Sequence, residues 1–232
     1  MTLTIKENLD LVRERVATAA ARAGRDPAGV TIVAVTKTHG PAVVTQAIEA
    51  GLPDVGENKV QEFLAKAPDV KLPCRWHLVG HLQTNKVAKV IGRFALVQSV
   101  DSFRLAEHLN RSGAAAGVTT DILLEVNTSG EESKFGLPPN GVVTICGLIA
   151  GLPNLRIRGL MTVGPLGSDA NAVGAAFASL RRLKEEIEAA RIANVSMEHL
   201  SMGMTDDFEL AIAEGSTMIR LGRILFGERL AA

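Results

Sequence analysis

Tyrosine is absent from the chain, so no phenol is available as an acid or a base. An excess of charge of either sign is missing too. Lys+Arg and Asp+Glu both number 25, and this zero net balance lacks the basic footprint of a nucleic-acid binder. The two cysteines, Cys74 and Cys146, form no CxxC or other close pair and read as reduced thiols rather than as a disulfide or metal pair. The opening MTLTIKENLD has no apolar stretch of the kind a secretion signal needs. The most apolar run, residues 142–152, falls short of the ~20 residues that span a bilayer. Linkers, low-complexity tracts and internal repeats are also missing. The expectation is a soluble, cytoplasmic, single-domain chain over residues 1–232, with neither membrane nor nucleic acid as a partner.

What is present is a repeated alternation. Thr4 and Glu7 form a capping-box pattern, Ile5, Leu9, Val12 and Val16 follow on one helical face, and Gly24 is a natural stop. After this opening helix, strand-like runs occur at 31–37, 54–58, 76–80, 96–100, 121–127, 157–163, 197–204 and 217–222, with helical stretches between them. Pro41 suits the first turn of one helix and Gly51 its end. Ser102 caps FRLAEHLNRSG, and Thr205 is positioned to cap a helix with Asp206 and Asp207 in its first turn. Eight strand–helix units in 232 residues predict a closed (β/α)8 TIM barrel, a fold of ~250 residues, preceded by an extra N-terminal helix. The competing open dinucleotide-binding sheet usually carries GxGxxG after its first strand; this chain has TKTHGP there.

Functional groups of such barrels gather at the carboxyl ends of the strands. Here those ends carry Lys37, Asn58, Gly80–His81, residues 99–101, Asn127, residues 161–162, Ser201 and residues 220–222. Lys37 ends an apolar strand, where desolvation favours the neutral amine that Schiff-base chemistry requires. The competing reading of a lysine at a strand end is an exposed charge. Ser201, Gly203, Gly222 and Arg223 flank the last two strand ends, where barrels commonly bind phosphate through backbone N–H groups. His77 and His81 have HxxxH spacing, but on a strand they stand ~13 Å apart and cannot share one metal ion. Glu125 reads as a structural or solvated charge and Trp76 as core.

Seven segments together carry a resemblance: AVTKTH around Lys37, GENKVQE from Gly56, WHLVGHLQTNK from Trp76, SVDS from Ser99, LLEVNTSGEESKFG from Leu123, IRGLMTVGP from Ile157, and LSMGMTDDFELAIAEGSTMIRLGRILFG from Leu200. In this order and over almost the whole length, the chain resembles the pyridoxal phosphate homeostasis protein family, of the YggS/PROSC type. The resemblance implies a fold type III barrel like the N-terminal domain of alanine racemase. It implies that Lys37 binds pyridoxal 5′-phosphate (PLP) as a Schiff base, and that Arg220 faces the pyridine nitrogen. Ser201 and the backbone at Gly222 and Arg223 would hold the phosphate, Asn58 would lie near the ring, and Met161 would line the pocket. Many relatives carry threonine where this chain has Arg223; the arginine keeps the backbone N–H and adds a charge.

An arginine is always charged and only donates, so it keeps a facing pyridine nitrogen unprotonated and weakens the ring as an electron sink. Alanine racemase shares that arginine and adds a tyrosine from a second domain; this chain has no tyrosine. His199 and His81 are the remaining nominees for a second base. The expected role is therefore holding and delivering PLP as a monomer, with PLP-dependent apoenzymes as transient partners and no turnover. A small fold type III racemase or lyase is the first alternative. A Schiff-base aldolase and a partner-binding module are the others.

Overall fold

The computed structural model describes residues 3–227 except 132, 166 and 168. Eight parallel strands close into a barrel in chain order: β1 (Thr31–Val35), β2 (Asp54–Glu57), β3 (Arg75–Leu78), β4 (Leu96–Val100), β5 (Thr120–Glu125), β6 (Leu155–Met161), β7 (Val195–Ser201) and β8 (Met218–Leu221). β8 returns to β1 with Arg220 opposite Val33, which leaves no free sheet edge. The helices α1 (Ile5–Arg22), α2 (Pro41–Glu49), α3 (Val60–Lys66), α4 (Phe103–Ala116), α5 (Val142–Ala150), α6 (Ala170–Ala189), α7 (Phe208–Ala213) and α8 (Arg223–Phe226) surround it. This is the (β/α)8 barrel with an N-terminal helix that the alternation predicts.

Local chemistry sets the element ends. The Glu7 N–H donates to Thr4 Oγ1 at 3.2 Å, and the Thr4 N–H donates back to Glu7 Oε2 at 2.7 Å, completing the capping box of α1. Gly24 and Gly51 follow α1 and α2 with φ of 65° and 98°, a region open to glycine at little cost. Leu9, Val12 and Val16 of α1 are buried against Phe208, Ile212 and Leu225, and each such side chain contributes about 1.5–3 kcal/mol. α1 is thereby fixed against α7 and α8, outside the barrel wall. A separate cluster of Val33, Leu96, Leu123, Met161 and Met218 fills the barrel interior.

Three sequence expectations are corrected. All strands but β4, which ends at Val100 as its pattern does, stop one to three residues earlier at their carboxyl ends than the patterns extend, because the polar rim residues continue the alternation after the ladder has ended. The connection from β3 to β4 contains a 3-10 segment, Thr84–Lys89, in place of an α-helix. α7 begins at Phe208 and is not capped by Thr205: Asp207 Oδ1 accepts the Met204 N–H at 2.5 Å and holds residues 205–207 in a turn. No helix among the described residues is long and apolar enough to cross a membrane.

Candidate functional site

Lys37 lies in a turn two residues beyond β1 and is half-buried. Its neighbours are clamped from behind. Lys66 Nζ of α3 donates to the Thr36 carbonyl at 2.7 Å and to Glu57 Oε1 at 2.6 Å, and the Thr36 hydroxyl donates to the same Glu57 oxygen at 2.5 Å. On the other side, the Thr38 N–H donates to Glu62 Oε2 at 2.7 Å. Thr38 has φ of 69°, an uncommon value for a β-branched residue, and the Glu62 contact holds it there. The side chains of Lys66 and Glu57 are 6% and 0% exposed, so this is a buried ion pair. Burial pushes the Glu57 carboxyl upward, against the pull of Lys66 and Thr36.

The turn after β8 adjoins that of β1. A Cβ on Gly222 would stand 3.2 Å from the Val35 carbonyl oxygen, so the two strand ends meet two residues before Lys37. Gly222 precedes α8, and its carbonyl accepts the Leu225 and Phe226 N–H groups at 2.9 and 3.0 Å. The Arg223 side chain is turned aside and forks onto Asp206 Oδ1 and Oδ2 at 2.6 and 2.5 Å. Asn58 is the first residue past β2 and is half-buried. Gly80 backs directly onto it, where a Cβ would stand 2.3 Å from the Asn58 carbonyl oxygen.

Arg220 is 5% exposed on β8, inside the barrel. Its Nη1 donates to Ser201 Oγ and its Nη2 to the Thr162 carbonyl, both at 2.7 Å. The Ser201 hydroxyl donates onward to Gln98 Oε1 at 2.6 Å. Ser201 is thus committed to orienting Arg220, which leaves its side chain with one spare lone pair and no proton to offer a phosphate. Burial pushes the Arg220 guanidinium down to about 10, with Glu125 and Asp207 pulling it back up, so it stays charged at neutral pH.

The register places Glu125, Met161 and Ser201 in one row across β5, β6 and β7. Met161 is fully buried in the interior cluster. Glu125, read from the sequence as structural or solvated, is not solvated: it is 8% exposed at the strand's carboxyl end, and its Oε2 has no hydrogen-bond partner among the described residues. Burial and the Asp101 charge push its carboxyl up to about 7, against the pull of Arg220. Burial also raises Asp207. Neither acid is among the candidate site residues of the sequence, where Glu125 reads as a structural or solvated charge and Asp207 as part of a helix's first turn, although a carboxylate closing the apolar run DILLE is a usable signal.

Of the two nominated histidines, His81 is at the rim, bonded through Nδ1 to Asp101 at 2.9 Å and stacked on Phe135 at 3.8 Å between ring centres. His199 stands two residues before Ser201 on β7, away from the carboxyl end, and burial lowers it. His77 is buried between Asp54 and Gln98. No group of three metal-ligating side chains occurs among the described residues.

The chain matches the model of the alanine racemase N-terminal domain over residues 8–230. It is 42% identical to the pyridoxal phosphate homeostasis protein of Pseudomonas aeruginosa, with 97% of this chain and 96% of that one covered. The protein of the same name from Aquifex aeolicus is 41% identical over 96% and 97% of the two chains. Among solved structures, PipY of Synechococcus elongatus with PLP bound superposes with a TM-score of 0.81 at 36% identity, over 93% of this chain and all of that one, a share of 100%.

Proposed function

We infer the function from one premise: the chain belongs to the pyridoxal phosphate homeostasis protein family. It binds pyridoxal 5′-phosphate and serves to hold and release it. The observation that carries this reading is the juxtaposition at one rim of the Lys37 turn, the Gly222 turn and the buried guanidinium of Arg220. These residues fit the group. Lys37 supplies an amine for the aldehyde, with loss of water, and the Gly222 turn gives an anion close access to backbone N–H groups. Arg220 would supply a fixed donor to the pyridine nitrogen, and Asn58 and Met161 would line the ring's pocket.

When bound, PLP supplies an aldehyde that joins amines reversibly and a ring that withdraws electrons. Arg220 limits the second property. Held by Ser201 and Thr162, it presents only N–H donors, so a facing ring nitrogen keeps its lone pair and no added positive charge. Lys37 then acts as a reversible tether and not as the start of carbanion chemistry. The chain works as a cytoplasmic, single-domain monomer that passes PLP to apoenzymes by exchange of one amine for another. A small racemase or lyase is the second reading. It is favoured by Glu125, a buried carboxyl at the rim that titrates near neutrality.

The absorbance spectrum of the purified protein, with and without added PLP, tests the first reading. Wild type is expected to show a visible Schiff-base band that Lys37→Ala lacks. Failure of the wild type to take up PLP overturns the proposal. Turnover of an amino acid, lost in Lys37→Ala, would establish the second reading instead.

A further inference from the structure

Five side chains form a continuous hydrogen-bonded line through the barrel interior, from the rim to the opposite end. Arg220 Nη1 donates to Ser201 Oγ at 2.7 Å, and the Ser201 hydroxyl donates to Gln98 Oε1 at 2.6 Å. Gln98 Nε2 meets His77 Nδ1 at 3.0 Å, and His77 Nε2 meets Asp54 Oδ1 at 3.0 Å. Arg75 closes the far end with Nε and Nη2 on the two Asp54 oxygens at 2.6 and 2.5 Å. Gln98, Ser201, His77, Asp54 and Arg220 are all buried.

The direction of each bond follows from its neighbours. Arg220 can only donate, so Ser201 accepts there and spends its one proton on Gln98. Gln98 therefore offers its carbonyl to Ser201 and its amide N–H to His77. The same Nε2 lies 3.1 Å from the Met218 sulfur, a weak acceptor that disfavours a flipped amide. His77 Nδ1 must then be the acceptor, so the ring proton sits on Nε2 and points at Asp54. Every donor along the line points the same way, from a guanidinium at the rim to a carboxylate at the base. Bonds aligned in this manner polarise one another, and the buried Arg220 charge is answered by Asp54 through them. Burial pushes the Asp54 carboxyl up, but the bonds from His77 and Arg75 outweigh it and hold the carboxyl below its usual range.

We propose that Gln98 and His77, anchored on Asp54, are positioning residues for Arg220, fixing the plane in which its guanidinium faces the PLP ring nitrogen. The proposal deepens the PLP-holding reading and rests on it. Its consequence is that residues with no contact to PLP set how firmly the ring is held and how it absorbs light.

Two measurements test this. The first needs no PLP: 15N NMR of histidine-labelled protein, in which His77 is expected to be neutral with its proton on Nε2. In Gln98→Glu the new carboxylate accepts from both sides, and His77 is expected to become an imidazolium. The second uses PLP. Gln98→Leu is expected to keep the Lys37 Schiff base but to shift its absorption maximum and weaken retention about tenfold, comparable to losing one bond to a charged group. His77→Phe, which removes the acceptor of the Gln98 amide, is expected to behave as Gln98→Leu. Should Gln98→Leu fail to fold, His77→Phe carries the same comparison. A His77 proton on Nδ1, or spectra unchanged in Gln98→Leu and His77→Phe, would overturn the proposal. A wild type that takes up no PLP would sink the functional reading itself, while the NMR result would still judge the line of bonds.

Discussion

The Glu57–Lys66 pair occupies a position where burial is costly, and it is balanced only by its own bonds. Lys66→Met leaves Glu57 buried without its cation, a change that typically costs about 3–5 kcal/mol. The Glu57→Gln, Lys66→Met double variant should recover most of that loss in a denaturant titration, because no lone charge is left inside. It should still form the Lys37 Schiff base more slowly, since Thr36 has lost its clamp; uptake at the wild-type rate would show that the clamp serves stability alone. Glu125 gives a second prediction. Its folded-state value of about 7 lies above the ordinary 4.5, so the folded state holds that proton more tightly. The associated stability is complete below about pH 4.5 and is lost as pH rises through about 7. Glu125→Gln escapes the loss, so without PLP its unfolding free energy in a denaturant titration should draw ahead of wild type between pH 5 and 8, by up to about 3 kcal/mol. A gap independent of pH would show that Glu125 does not titrate there. Lys37 was legible in the sequence because a lysine after TIVAVT is conspicuous. Gln98 was not, because all of LVQSV is buried and a period of two does not distinguish the inner face from the helix-covered outer one.

Strands and helices were legible where the chain obeys local rules. Thr4, Gly24, Pro41, Gly51 and Ser102 act at their helix ends as their chemistry dictates. The errors fall at the rim. Residues 36 and 37 continue the β1 pattern, yet the contacts of Glu57, Glu62 and Lys66 bend the chain into a turn there, and those contacts come from other elements. Asp207 likewise turns its carboxylate back to Met204 and delays α7. Non-local contacts of this kind leave no local signature. The approach of β2 to β3 offers a test at this scale. Gly80 lies so close to Asn58 that Gly80→Ala must push the Asn58 backbone away. Overpacking of this sort typically costs about 1–3 kcal/mol. The variant should retain the Schiff-base band yet bind PLP more weakly in a fluorescence titration. Unchanged affinity would remove Asn58 and its loop from the site.

For the whole molecule, equal numbers of acidic and basic side chains mean that no net charge draws an anion from a distance. Attraction to a phosphorylated aldehyde is left to groups at the rim. Arg220 is buried and held by Ser201 and Thr162, so mobile ions screen it little compared with exposed charges. PLP uptake should therefore change less than about threefold between 0.05 and 0.5 M salt, where the Debye length falls from roughly 14 to 4 Å. Release should behave differently. The Lys37 turn is half-buried and Thr38 beside it is exposed, so a small amine can reach the linkage and displace the lysine. The release rate measured by stopped-flow absorbance should then rise in proportion to added amine, with hydrolysis by water as the intercept. Proportionality is what a carrier requires, because it hands PLP over when another amine arrives and retains it otherwise. A rate indifferent to amine concentration would mean that the barrel must open before exchange, and the chain would then act as a store whose discharge its recipients do not govern.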